Sequence, residues 1–114
     1  MFELTKNGLH RDSIIKAIKF ENEMYKITIF YEGDYEADLK NNCIDRDMIT
    51  VACKLKGEGF DLDFMREDIY VDLLYAPTYR LSEIDDVIHQ LQVAKESAEE
   101  LKGIMKEYFN LEYK

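Results

Sequence analysis

The fold of this chain is decided by its last third, where residues 83–109 read EIDDVIHQLQVAKESAEELKGIMKEYF. Apolar residues recur there at alternating steps of three and four, the spacing of one helix face. The two apolar rows are Ile84, Leu91, Ala98 and Met105, and Val87, Ala94, Leu101 and Tyr108. The continuous stripe predicts one long amphipathic helix that packs on a sheet or on another helix.

Both ends of the predicted helix carry signals. Ser82, followed three residues later by Asp85, is expected to be the N-cap. Gly103 could end the helix, but the stripe continues in phase beyond it. We therefore predict a helix over residues 83–109 that runs through this glycine.

The residues before the helix have the composition of β-strands. Runs rich in β-branched and aromatic residues alternate with polar or glycine-containing breaks. These runs cover residues 14–20, 24–31, 60–64 and 69–75. Residues 44–56 fit either a strand or a helix, and their β-branched content favours a strand. Residues 35–47 are ambiguous, with a turn expected at Asn41 and Asn42.

The chain of 114 residues is predicted to form a single domain. We expect an irregular lead-in over residues 1–12, a sheet region over residues 13–75 and then the helix. The predicted fold class is α+β: an antiparallel sheet of four to five strands with one long C-terminal helix packed across it.

The charge distribution limits the classes of partner. The formal net charge is −9, and residues 58–114 carry fourteen acidic against six basic side chains. Neutralising phosphates requires a Lys/Arg surface, so this balance argues against direct nucleic-acid binding and against an anionic membrane. It favours a protein partner with a basic surface. With no apolar run of membrane-spanning length and a charged N-terminus, we expect a cytoplasmic protein.

One acidic cluster occupies every second position of residues 32–38. In an extended chain these carboxylates would project from one side about 6.5–7 Å apart, close to the spacing of phosphates along a nucleic-acid strand. Imitation of nucleic acid is the functional hypothesis; a Ca²⁺ site and a charged edge strand are the alternatives. The cluster consists of Glu32, Asp34, Glu36 and Asp38.

A second acidic cluster follows in the predicted strands after residue 60. Asp61 and Asp63 alternate with apolar residues, so they share one face of a strand. Paired carboxylates occur in glycosidases and metal-dependent enzymes, although an amphipathic strand explains them equally. Tyrosine side chains lie beside these acids, and tyrosine is enriched in the contact surfaces of proteins. The predicted partner-binding residues are Glu32, Asp34, Tyr35, Glu36, Asp38, Asp61, Asp63, Asp68, Tyr70 and Asp72.

Signals for catalysis are weak. His89 has Asp85 one helical turn before it, which could orient an imidazole or form only a weak ion pair. Cys43 and Cys53 lack the spacing of zinc or redox sites and are expected to be free thiols. Nucleophile motifs and phosphate-binding glycine loops are absent from the sequence. We therefore predict no catalytic residue, cofactor or metal.

Three functional hypotheses follow from the sequence. The first is a non-catalytic, acidic protein-binding domain, in one version a phage or mobile-element inhibitor that occludes a basic, nucleic-acid-binding surface. The second is a small enzyme or ligand-binding domain with a helix–sheet pocket that uses His89 or the Asp61/Asp63 pair. The third is a structural module that forms a homodimer through the helix, with Ala94 and Ala98 permitting close approach, although these small residues would equally suit tight packing on a sheet.

Overall fold

The computed structural model describes residues 1–10, 15–57, 59–65, 68–73 and 78–113. In this part of the chain a four-stranded antiparallel sheet has the order β1-β2-β3-β4, and a separate two-stranded sheet is the hairpin β5-β6. The strands are β1 (Glu3–His10), β2 (Ile15–Glu21), β3 (Tyr25–Tyr31), β4 (Ile49–Leu55), β5 (Phe60–Met65) and β6 (Asp68–Leu73).

Two α-helices complete the described architecture. They are α1 (Tyr35–Lys40), a single short helix after β3, and α2 (Ile84–Phe109), which packs against the sheets. Short 3₁₀ turns over Arg46–Met48 and Leu81–Glu83 precede β4 and α2. The predicted α+β class, with one long C-terminal helix across antiparallel strands, is confirmed.

The core forms between one face of the large sheet and the C-terminal half of α2. Strand β3 alternates strictly, because every second residue from Tyr25 to Tyr31 is buried while the residues between them are more exposed. The helix side of this core consists of Ala94, Ser97, Ala98, Leu101, Met105 and Phe109. The hairpin adds Phe60, Leu62 and Ile69. Burial of these apolar side chains is the main source of stability.

The predicted lead-in over residues 1–12 is wrong where the structure describes it, because Glu3–His10 forms β1 and pairs with β2. Phe2 is buried, and its backbone N–H donates a hydrogen bond of 2.6 Å to a carboxylate oxygen of Glu100. Leu4 is 47% exposed, so apolar alternation contributes little to this edge strand. Backbone hydrogen bonds to β2 stabilise this strand instead. Such bonds do not depend on side-chain type, so the strand has only a weak pattern in the sequence.

The prediction for residues 44–56 is confirmed as a strand, although it begins only at Ile49. The expected turn at Asn41 and Asn42 is present, with Asn42 in the left-handed region at φ 53°. Ser13 and Ile14, at the start of the predicted sheet region, lie outside the described residues, as do Leu74 and Tyr75 at the end of the last predicted strand.

Helix α2 runs through Gly103 as predicted and ends before Asn110, whose φ of 54° is left-handed. The N-cap prediction is wrong. Ser82 lies within the 3₁₀ turn, and the residue that precedes the helix, Glu83, makes no side-chain capping hydrogen bond. None of the described helices is long and apolar enough to cross a membrane.

The apolar stripe of α2 is buried only in its C-terminal half. Leu101 and Met105 are fully buried, whereas Ile84 is 37% and Leu91 is 46% exposed. The sheet does not cover the first turns of the helix, and the molecule extends 53 Å along its longest axis. The expectation of a stripe packed along its whole length is therefore wrong for these turns.

Candidate functional site

The outward face of the β5–β6 hairpin collects four of the ten predicted partner-binding residues. The strand register places Asp61 directly opposite Asp72, and Asp63 directly opposite Tyr70. These four residues alternate with buried Phe60, Leu62 and Ile69, so they share the opposite face of the hairpin. Asp63 and Asp72 are exposed, and Tyr70 is 47% exposed. We call this surface the acidic hairpin face: Asp61, Asp63, Tyr70 and Asp72.

The acidic hairpin face violates the usual pairing rules of a sheet. Like charges directly opposite each other destabilise a strand pair, and aspartate is itself unfavourable in strands. Asp68 lies near the turn, and its carboxylate is 4.0 Å from the ammonium group of Lys102. Asp61, Asp63 and Asp72 form no ion pair within the described residues. Asp63 and Asp72 are exposed, so their charges face solvent or a partner, whereas Asp61 is half-buried and its charge also acts on Cys53 and Tyr25.

The predicted row of carboxylates over residues 32–38 does not exist as an extended row, because Tyr35–Lys40 is helical. Asp34 caps this helix by accepting a hydrogen bond of 3.2 Å from the N–H of Ala37. The hydroxyl of Tyr35 donates to the backbone oxygen of Tyr108 at 2.6 Å, which ties α1 to the end of α2. Glu32 and Glu36 are exposed.

Asp38 belongs to a partly buried hydrogen-bond network around Tyr31. The hydroxyl of Tyr31 donates to the Asp38 carboxylate and accepts a hydrogen bond of 3.2 Å from the N–H of Asp45. The thiol of Cys43 donates to the other carboxylate oxygen of Asp38 at 3.6 Å. Burial, together with the hydrogen bond to Asp38, raises the pKa of Tyr31 above its ordinary value. Asp38 therefore organises the loop between β3 and β4.

His89 forms no hydrogen bond or ion pair with the residues that the structure describes. This side chain is exposed and lines a cleft of about 220 Å³. The other lining residues are Glu23, Met24, Lys56, Gly57, Gln90 and Val93, so neither Asp61 nor Asp63 contributes to the cleft. Among the described residues, no group of three His, Cys, Asp or Glu side chains is arranged to hold a metal ion.

The outer face of the large sheet carries a lysine cluster that the whole-chain charge concealed. The register places Lys6 opposite Lys19, and Lys26 opposite Lys54. Lys56 forms an ion pair with Glu21, and this contact holds the pKa of Glu21 below its ordinary value. In the sequence, Lys26 and Lys54 each alternate with apolar residues, which indicates that each lysine lies on the outer face of its strand. That the two lysines lie side by side follows only from the strand register. Glu21 also lies directly opposite Lys26, so this lysine cluster contains an acidic side chain.

The stability of the fold should change with pH in the alkaline range, because folding raises the pKa of a thiol and of a tyrosine hydroxyl. Burial raises the pKa of the Cys53 thiol to about 11, and burial also raises the pKa of Tyr25. In the unfolded chain the thiol ionises near its ordinary pKa of about 8.5. Above that pH the unfolded state loses a proton that the folded state retains, so the free energy of unfolding should fall as pH rises.

We expect Cys53→Ala to flatten the decline between about pH 9 and pH 11, because it removes the buried thiol. The decline due to tyrosine should persist. Urea unfolding of the variant and of the wild-type chain at a series of pH values measures this. An unchanged pH profile in Cys53→Ala would contradict the assignment of the titrating group.

Comparison with protein families, curated proteins and solved structures found no match to this chain. Its functional interpretation therefore depends on its own residues.

Proposed function

We propose that this protein is a non-catalytic binding domain whose acidic hairpin face contacts a basic surface of a partner protein. The observation that carries the proposal is the strand register of the hairpin, which places Asp61 opposite Asp72 and Asp63 opposite Tyr70. The result is a surface of three carboxylates and one tyrosine on a regular element.

The energetic cost of this arrangement supports a role outside folding. An opposed pair of like charges disfavours a strand pair by a few tenths to about 1 kcal/mol. Local rules that favour folding are most often broken at functional sites. A basic partner would offset the repulsion, since Lys or Arg side chains between the carboxylates replace repulsion by attraction.

Tyr70 gives the surface an apolar component. Its ring is 47% exposed beside Asp63. A tyrosine ring supplies rigid contact area and one hydroxyl at a modest entropic cost, and tyrosine is enriched in the centres of protein interfaces. Carboxylates around an aromatic ring suit a partner with arginine side chains, which can pair with the acids and stack on the ring.

One version of the proposal is an inhibitor of phage or mobile-element origin that blocks a nucleic-acid-binding surface. Asp61 and Asp63 lie on one extended strand, where alternate side chains are about 6.5–7 Å apart. The sequence suggested that the carboxylates of residues 32–38 imitate phosphates. In this version of the proposal the two carboxylates on β5 have that role instead. Electrostatic attraction would give fast association that weakens strongly with salt.

A titration with an arginine-rich peptide, followed by amide NMR spectra, tests the proposal. Binding should shift the amides of β5 and β6 most, and should weaken as salt is raised. The triple variant Asp61→Asn, Asp63→Asn and Asp72→Asn should lose binding and unfold at a slightly higher temperature, because the like-charge repulsion is removed.

The matched control is the triple variant Glu23→Gln, Glu99→Gln and Glu107→Gln. It removes an equal number of negative charges, three, from exposed sites outside the acidic hairpin face. It should retain binding. Equal loss in both variants would mean that net charge alone attracts the peptide, and the proposal would then fail. With a native partner isolated from the source cells, the same variants should give the same ranking and the same salt dependence.

A further inference from the structure

The 3₁₀ turn before α2 and the N-terminal half of α2 expose a row of large apolar side chains along one flank. Leu81 is 92%, Ile84 37%, Ile88 59% and Leu91 46% exposed. Their steps of three, four and three residues place them on one side of the helix. The next position of the row is Lys95, which is also exposed. We call Leu81, Ile84, Ile88 and Leu91 the helix flank.

The helix flank has the spacing of a coiled-coil seam, which fits another helix better than a sheet or a loop. Ala94 and Ala98, the residues that the sequence suggested for close helix approach, are buried within the chain's own core. The predicted dimer contact through Ala94 and Ala98 is therefore wrong. The helix flank lies on a neighbouring side of α2 and leaves the core undisturbed.

We propose that the helix flank binds the same flank of a second copy of this chain, with the two α2 helices antiparallel and the two-fold axis between Ile88 and Leu91. In this arrangement Ile88 of each copy packs on Leu91 of the other. A closed two-fold contact of one patch with itself is the commonest form of oligomer. Ile88 and Leu91 lie on opposite sides of the axis and form the apolar centre of the contact, while Ile84 of each copy lies opposite Lys95 of the other and can pack on its aliphatic stem.

Charge selects the antiparallel orientation. Glu83, Asp85 and Asp86 lie together at the start of α2. Parallel helices would bring both acidic ends together and align the two helix dipoles, which is unfavourable. Antiparallel helices separate these ends and place Asp85 of one copy within one residue of the position opposite Lys95 of the other. Asp85 and Lys95 form no ion pair within the described residues, so both are available.

Light scattering as a function of protein concentration tests the dimer. The mass should rise from 13.5 kDa toward twice that value. Ile88→Glu and Leu91→Glu should each raise the dissociation constant by more than about tenfold. The control, Leu39→Glu, makes the same change at a leucine of similar exposure, 41%, on α1 and should leave the dimer intact. A monomer at all concentrations, or a dimer insensitive to both variants, would overturn the proposal.

Disulfide formation between single-cysteine chains tests the orientation, in a background of Cys43→Ser and Cys53→Ala. Mixing chains that carry Ile88→Cys with chains that carry Leu91→Cys should give mostly the mixed disulfide, because these positions face each other in antiparallel helices. Parallel helices would instead link each variant mostly to itself, which would overturn the proposed geometry.

Charge exchange adds a test that does not depend on the apolar residues. Lys95→Asp should weaken the dimer by bringing like charges together, and adding Asp85→Lys should restore it. If the second change gives no recovery, the proposed pairing is wrong.

Salt distinguishes this inference from the proposed function. The apolar contact should persist at high salt, whereas the acidic hairpin face should lose its partner. Neither result depends on the other.

Discussion

Leu101→Ala is expected to lower the free energy of unfolding by about 2–5 kcal/mol, whereas Leu91→Ala should change it by less than about 0.5 kcal/mol. Both leucines belong to the same apolar stripe of α2. Leu101 is fully buried against the sheet, so its truncation leaves a cavity, while Leu91 is 46% exposed. Since small domains have total stabilities of about 5–15 kcal/mol, Leu101→Ala removes a large share.

Urea unfolding monitored by circular dichroism measures the two losses. The protein must be dilute, so that dimer dissociation does not contribute to the transition. The difference between the variants is the quantity of interest, because the chemical change is the same in both. Equal losses would show that Leu91 is covered within the monomer, which contradicts both the described packing and the helix flank as a docking surface.

Tyr31→Phe is expected to destabilise the fold by about 1–3 kcal/mol. The change removes one hydroxyl from a fully buried ring and leaves its packing against Tyr35 and Phe109 in place. The carboxylate of Asp38 would lose a donor and the N–H of Asp45 would lose its acceptor. The loss of hydrogen-bond partners by these partly buried groups accounts for most of this cost.

Urea unfolding gives the global effect of Tyr31→Phe, and amide hydrogen exchange gives its location. We expect faster exchange at Asp45 and little change in β2. Tyr79→Phe is the matched control, because the Tyr79 side chain is 39% exposed and should tolerate the loss of its hydroxyl. Unchanged exchange at Asp45 would show that the Tyr31 hydroxyl does not organise the loop between β3 and β4.

Long periodic segments allowed reliable prediction. The alternation of buried and more exposed residues extends along the whole of β3, and the apolar stripe extends over several turns of α2. A single unfavourable residue such as Gly103 therefore did not obscure the helical pattern. Asp61 and Asp63 were placed together because alternation along one strand is a local property. Their alignment with Tyr70 and Asp72 needed the register of a second strand.

Short segments were predicted poorly because tertiary contacts outweigh their weak local preferences. Residues 35–40 form a helix of six residues, too short to be stable alone. Asp34 caps it, and the hydroxyl of Tyr35 binds α2, so contacts distant in sequence hold it in place. Strand β1 likewise depends on pairing with β2 and on the bond between Phe2 and Glu100.

By itself, the sequence determined which segments are helix and strand where apolar residues repeat, and it determined that the chain is acidic overall. Only the tertiary structure decided which part of the helical stripe is buried and which surface each charge occupies. Periodicity and composition are properties of neighbouring residues, whereas burial and cross-strand register depend on residues far apart in the chain. For that reason the long helix at the C-terminus and the residues of the acidic hairpin face could be predicted, but the exposed flank of the helix, the alignment of the two hairpin strands and the lysine cluster on the four-stranded sheet could not.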